Sequence, residues 1–171
     1  MTPETVGPLS RLVDVMNIPP RGQEVHVEAS AEERAALARD FGLPDIRALS
    51  GDFKLMSSAK GIHVTGVVKA SITQVCVVTL DSFDSDIEEE VEVDFAESSG
   101  MPAEPPTDLN EYEPPDEIVN GQIDLGALTA EFLALGLDPY PRKPGVDFDF
   151  RDPRDEKDSP FAALGKLKTD K

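Results

Sequence analysis

The 171-residue sequence has no tryptophan, two tyrosines, two histidines and one cysteine. A single cysteine, Cys76, excludes an intramolecular disulfide, so no framework of bridges implies secretion. Cys76, His26 and His63 together fall short of the four ligands that a structural zinc site takes, and no two of them have paired spacing. No apolar run approaches the roughly 18–20 residues of a membrane-crossing helix. The start, Met1-Thr2-Pro3-Glu4, lacks a basic stretch followed by an apolar one, so no signal peptide is expected and the expected location is the cytoplasm. The most informative absence is that of cations. Residues 70–141 hold 18 carboxylates and no Lys, Arg or His, whereas residues 1–69 hold 9 acids against 8 bases and residues 142–171 hold 7 against 8. The formal charge of −18 is therefore concentrated in one central segment. Such a surface repels phosphate backbones and anionic membranes and attracts basic proteins. Solubility alone would also account for it.

What is present points to an α+β protein. Leu12–Met16 and Glu24–Glu28 alternate in hydropathy around Pro19-Pro20-Arg21-Gly22, which predicts a hairpin or a pair of nearby strands. Ser30 and Glu33 have capping-box spacing and open a helix over 31–41 that Gly42 and Pro44 end. From Leu49 the period becomes two. Leu49–Leu55, Gly61–Ala70, Ser71–Leu80 and Ile87–Phe95 read as successive strands, with a turn at Asp81–Ser85. In the last strand Val91, Val93 and Phe95 face inward and Glu88, Glu90, Glu92 and Asp94 face outward. Asp124 is placed to cap a second helix over 125–136, with Leu125, Leu128, Phe132 and Leu135 on one face. The expected fold is an antiparallel β-meander sheet or partly open barrel with two packed helices and a flexible C-terminal tail. Residues 1–140 would form one domain containing an acidic, proline-rich loop over 97–116. Residues 141–171 would be a linker and tail carrying a short apolar motif over 160–168.

No catalytic constellation can be assembled from these residues. Cys76 shares a predicted strand face with Ile72 and Val78, where a buried structural cysteine is expected rather than a nucleophile. The Glu88/Glu90/Glu92/Asp94 row spaces its carboxylates roughly 6.6 Å apart, too far for convergence on one calcium ion. Phosphate-binding glycine loops and nucleophile elbows are missing. No cofactor and no metal are expected.

Two segments resemble a known family. Gly121-Gln122-Ile123-Asp124-Leu125, with Leu128, Glu131 and Leu133-Ala134-Leu135, is similar to the I-D-L…E…L-A-L signature of the YceD family. Ser159-Pro160-Phe161-Ala162-Ala163-Leu164 through Lys168 resembles that family's terminal P-F-A-x-L…L-K motif. The resemblance implies a bacterial or plastid factor for accumulation and processing of large-subunit ribosomal RNA, with no catalytic residues to carry over. Many members have a C-x-x-C pair where this chain has Cys76-Val77-Val78-Thr79, together with further cysteines that residues 142–158 lack, which puts any family metal role in doubt here. The expected function is a non-enzymatic ribosome-biogenesis factor. Its acidic face would bind a basic ribosomal protein or maturation factor, making rRNA contact indirect. Phe161, Leu164 and Leu167 after Pro160 would form either a short anchor for a partner or a segment that folds back on the domain. The alternatives are direct rRNA binding through Arg11, Arg21, Arg34, Arg39, Lys54, Lys60 and Lys69, or through the tail cations Arg142, Lys143, Arg151 and Arg154, and a metal-dependent hydrolase or nuclease using Glu90 or Asp124.

Overall fold

The computed structural model describes residues 7–97 and 115–147. Residues 98–114 of the loop expected over 97–116, and the apolar motif at 160–168, lie outside the described residues. In chain order the elements are β1 (Leu12–Asp14), a 3-10 turn (Val15–Asn17), β2 (Gln23–Glu28), α1 (Ala31–Phe41), β3 (Asp45–Ser58), β4 (Gly61–Val75), β5 (Ser82–Ala96), β6 (Asp116–Glu117), β7 (Gln122–Asp124) and α2 (Leu125–Leu135). β2 to β6 form one open sheet in sequential order. Its first three pairings are antiparallel, and β6 adds to β5 in parallel. The architecture is α+β, as the periodicity predicts, and the sheet does not close into a barrel.

Each long strand presents one apolar row to the helices. Leu49, Phe53 and Leu55 of β3, Val64, Val68 and Ile72 of β4, and Val91 and Phe95 of β5 join Leu37 of α1 and Leu125, Leu128 and Leu133 of α2 in a single buried cluster. Among the described residues, no helix lies over the other sheet face. This is the half-buried pattern that strict alternation specifies.

Helix α1 begins as its sequence dictates. The Ser30 Oγ accepts from the Glu33 N–H at 3.3 Å, and the Ser30 N–H donates to Glu33 Oε2 at 2.7 Å. Gly42 closes the helix in the left-handed region at φ 66°. A third partner is not local. Arg11, from the N-terminal segment, grips Glu33 with both terminal nitrogens, at 2.7 and 3.0 Å. The Arg11 hydrogen bond, followed by the Ser30 N–H, pulls the Glu33 carboxyl from 4.5 down to about 2. Because the folded state favours the carboxylate, this stabilisation is complete above the ordinary carboxyl pKa and fades as pH falls from 4.5 toward 2. Glu33→Gln should therefore melt below wild type at pH 6, and the difference should shrink toward pH 2. A difference of constant size across that range would refute the assignment.

Several sequence expectations are corrected. The segments around Pro19-Pro20 do not pair with each other. β1 pairs antiparallel with β7, more than a hundred residues away, and β2 pairs with β3. A three-residue strand gains few ladder bonds, so burial decides its partner, and buried Ile123 of β7 lies opposite Val13. Ser71 does not break a strand either. β4 runs unbroken from Gly61 to Val75, because the Ser71 hydroxyl is satisfied by Asp86 across the ladder. The connection to β5 lies at 76–81 rather than at Asp81–Ser85, and Leu80 leaves the strand face with φ 63° and 77 % exposure. The strand expected over Leu49–Leu55 is the middle of a longer one of 14 residues. In α2, Leu133 is buried and Leu135 is 69 % exposed. The helix is apolar on nearly every side, so its sequence leaves the rotation about its axis open.

Candidate interaction surface

The uncovered sheet face is built by register. Reading across it, Glu24 of β2 faces Lys54, which faces Thr65 of β4, which faces Glu92 of β5. The next row is His26, Asp52, Val67 and Glu90, and the one after it is Glu28, Ser50, Lys69 and Glu88. The β5 end of every row is acidic, because its outward positions are Asp84, Asp86, Glu88, Glu90, Glu92 and Asp94. The four carboxylates predicted to point outward from β5 do so, on a strand whose pairing holds them in line.

Neighbouring side chains engage part of this row. Arg47 reaches Asp84 at 3.0 Å, Lys69 reaches Glu88 at 3.4 Å, and His63 Nδ1 lies 2.7 Å from Asp94. His26 pairs with Asp52 at 2.6 Å on the same face. Glu90 stands opposite Val67 and has no ion pair among the described residues, while the Glu92 side chain is 80 % exposed with only His63 nearby, at 3.9 Å. The middle of β5 thus carries the least compensated charge. Apart from the short pairing with β6, β5 is also an outer strand of its sheet. Charges along such a strand oppose pairing with another chain, so the row has a protective role whatever else it does.

Cys76 sits at the far end of the β4–β5 hairpin. Its N–H donates to Asp81 O and its carbonyl accepts from the Leu80 N–H, both at 2.9 Å, while the Val77 N–H donates to Pro141 O at 2.9 Å. This folds 76–81 into a tight knuckle against the segment that follows α2. The sulfur is fully buried, so the structural reading of the residue holds, although in a turn and not in a strand. The Lys143 N–H, the Thr79 hydroxyl and the N–H groups of Thr79 and Val78 surround it and outweigh burial, bringing the thiol from 9.0 down to about 6. Thr79, in the place of the resembled family's second cysteine, hydrogen-bonds the first one. With Thr79 in place of a second cysteine, the buried Cys76 gives a metal ion one thiolate of the four ligands a structural zinc site takes, so these residues do not fit such a metal. Among the described residues, no three His, Cys, Asp or Glu side chains are gathered as a metal site would require.

The Ile123-Asp124-Leu125 motif is structural at its centre. Ile123 and Leu125 are buried, and Asp124 accepts from Gly126 N at 2.9 Å and Ala127 N at 3.1 Å as the helix cap. The same carboxylate accepts from Ser10 Oγ at 2.6 Å and Arg11 N at 2.7 Å. Sequence reasoning missed this junction, because nothing local in the sequence links residues 10 and 124. Glu131 lies two turns further along α2 and lines the same groove of about 670 Å³ as Asp124. Glu90 lies on the open face and Asp124 on the opposite side with its lone pairs engaged, so the two candidate metal-binding acids of the hydrolase reading are not brought together.

The described residues form a small α+β scaffold with an acid-lined open sheet face and a fully hydrogen-bonded cap on the second helix. Comparison with known families is specific: residues 64–168 match the family model described as large ribosomal RNA subunit accumulation protein YceD. The match spans more than half the chain, and the protein belongs to the YceD family. Neither the curated proteins nor the solved structures yielded a match. The family is bacterial, and its description places the protein in ribosome biogenesis, in the accumulation of large-subunit 23S rRNA, and names no reaction. No helix among the described residues is long and apolar enough to cross a membrane.

Proposed function

We propose that the protein supports large-subunit assembly without catalysis, by holding a basic ribosomal protein or basic maturation factor against the β5 side of its open sheet face. The observation that carries this reading is the outward row from Asp84 to Asp94, on a sheet face over which no helix of the described residues lies and within a segment of 72 residues that contains no cation. Outward carboxylates recur roughly every 6.6–6.8 Å along a strand, which is also the spacing of alternate side chains in an extended basic peptide. Contact with rRNA is indirect in this scheme, since an acidic face repels phosphate. The working compartment is the cytoplasm, where ribosomal subunits are assembled in bacteria.

Reversing the centre of the row tests the proposal. Glu88→Lys/Glu90→Lys/Glu92→Lys alters exposed side chains, so the fold should persist, as circular dichroism would check. An exposed charge pair contributes about 0.2–1 kcal/mol, so reversal at three positions should weaken capture of basic ribosomal proteins about tenfold or more. Wild-type capture should also fall with added salt, because exposed charges are screened beyond about 8 Å near 0.15 M. Undiminished capture by the folded triple variant would sink the proposal. Direct crosslinks from rRNA to the terminal cations in purified components would replace it with RNA binding.

A further inference from the structure

The groove beside α2 combines an apolar floor with an acidic rim. Leu12 of β1, Val119, Phe95 of β5 and Leu128 of α2 line it, and Leu12 is 61 % and Val119 40 % exposed. Asp116, Glu117 and Glu131 stand at its edge, and none of the three makes an ion pair among the described residues. An occupant that fits would present two or three large apolar side chains with lysines beside them.

We infer that this groove is the docking site of the chain's own C-terminal segment, Pro160–Lys168. Phe161, Leu164 and Leu167 supply the apolar contacts, and Lys166 and Lys168 supply the charge that the rim lacks. Two other segments continue in sequence from groove-lining residues, 1–6 before Gly7 and 98–114 before Asp116, and both have the wrong sign: the first holds Glu4 and no Lys or Arg, and so does not match the rim. Segment 98–114 carries Glu104, Asp108, Glu111 and Glu113 with no cation. Reach is sufficient. The last described residue is Asp147, and thirteen residues span up to about 43–47 Å when extended. The chain leaves from the knuckle at the start of β5, where Lys143 meets Asp81 at 3.8 Å. The whole of β5 from Ser82 to Phe95 measures about 43 Å at 3.3 Å per residue. The nearer rim is closer still. Gly136, at the end of α2, lies against Ile87 and Glu89, and Glu131 is about 7.5 Å further along the helix axis. The family match also runs through the segment, to residue 168. Docking leaves the open face of β5 free, so this inference stands or falls independently of the proposed function.

A nitroxide attached to Thr169→Cys in the full chain tests it, since Cys76 is fully buried and the label goes to the new cysteine. Amide signals of Leu12, Val119, Ala127 and Glu131 should broaden at least threefold more than those of Thr65 and Lys69 on the open face, at any protein concentration. Either Phe161→Ala/Leu164→Ala or Glu117→Lys/Glu131→Lys should abolish most of that difference. Equal broadening on both faces overturns the inference, as does broadening centred on Val77 and Leu80. Broadening of the groove that grows with protein concentration assigns the contact to a second copy's tail and overturns it too.

Discussion

Asp124→Ala should lower stability by about 2–4 kcal/mol, with Asp124→Asn losing much less. The alanine removes a helix cap, which alone is worth about 0.5–2 kcal/mol. It also strips the charged acceptor from the Arg11 N–H and the Ser10 hydroxyl, and hydrogen bonds to charged groups contribute about 1.5–3 kcal/mol each. The sum stays below simple addition because water can reach the partly buried junction. Asparagine keeps the Oδ1 acceptor that serves Arg11, Gly126 and Ala127, and its amide can donate to Ser10 Oγ if the hydroxyl turns. For a protein of this size 1 kcal/mol shifts the melting temperature by about 2–4 °C, so alanine should lower it by roughly 4–16 °C. Equal melting temperatures for alanine and asparagine would show that the carboxylate is a plain surface group.

Gly126→Ala should destabilise the protein by about 1–3 kcal/mol, against the trend that helix propensity sets. Within a helix, alanine is favoured over glycine by about 0.8–1 kcal/mol. Here a Cβ would lie 2.7 Å from Arg11 N and 2.7 Å from the Cα and carbonyl carbon of Ser10. Those are backbone atoms, so no rotamer change relieves the overlap. The N-terminal strand must instead move off the helix, breaking the Arg11–Asp124 and Leu125–Arg11 hydrogen bonds of 2.7 and 3.0 Å. Because both substitutions act at one junction, the double variant should cost less than the sum of the two. A thermal melt in which Gly126→Ala gains stability would overturn the packing argument.

These two residues mark the boundary between local and tertiary information. Asp124 was legible as a cap from its place before an apolar helix, and its effect on α2 needs only residues 124–127. Its second role, and the requirement for glycine at 126, exist only because residues 10 and 11 pass over the helix start. The same division runs through the rest of the fold. Ser30 and Glu33 specified the start of α1, but the Arg11 fork that depresses the Glu33 carboxyl comes from 22 residues away. Alternation in β5 gave the direction of Glu88, Glu90, Glu92 and Asp94, since a strand has only two faces, but Asp84 and Asp86 join the row only because the strand begins earlier, at Ser82. It did not give the cations opposite them, because register with β3 and β4 decides which carboxylates are paired and which stand alone.

The knuckle shows the limit from the other side. Cys76 was legible as buried from the residues flanking it, but its ring of donors was not, because the Lys143 N–H arrives from beyond α2. The rotation of α2 was equally hidden. A helix with apolar residues on nearly every side can bury Leu133 or Leu135, and the approach of its first turn to Ser10 and Arg11 selects Leu133.

By itself, then, the sequence determined the α+β class, both helix starts, the period-two rows and the placing of all net charge in a base-free central segment. These follow from local rules: capping, periodicity and composition act within a few residues. Only the tertiary structure decided that β1 crosses to β7, that β4 is continuous, that the acid row lies on an uncovered face, and that a groove with an acidic rim opens beside α2. Each of those outcomes depends on burial and steric contact between distant parts of the chain, and such contacts leave no period in the sequence.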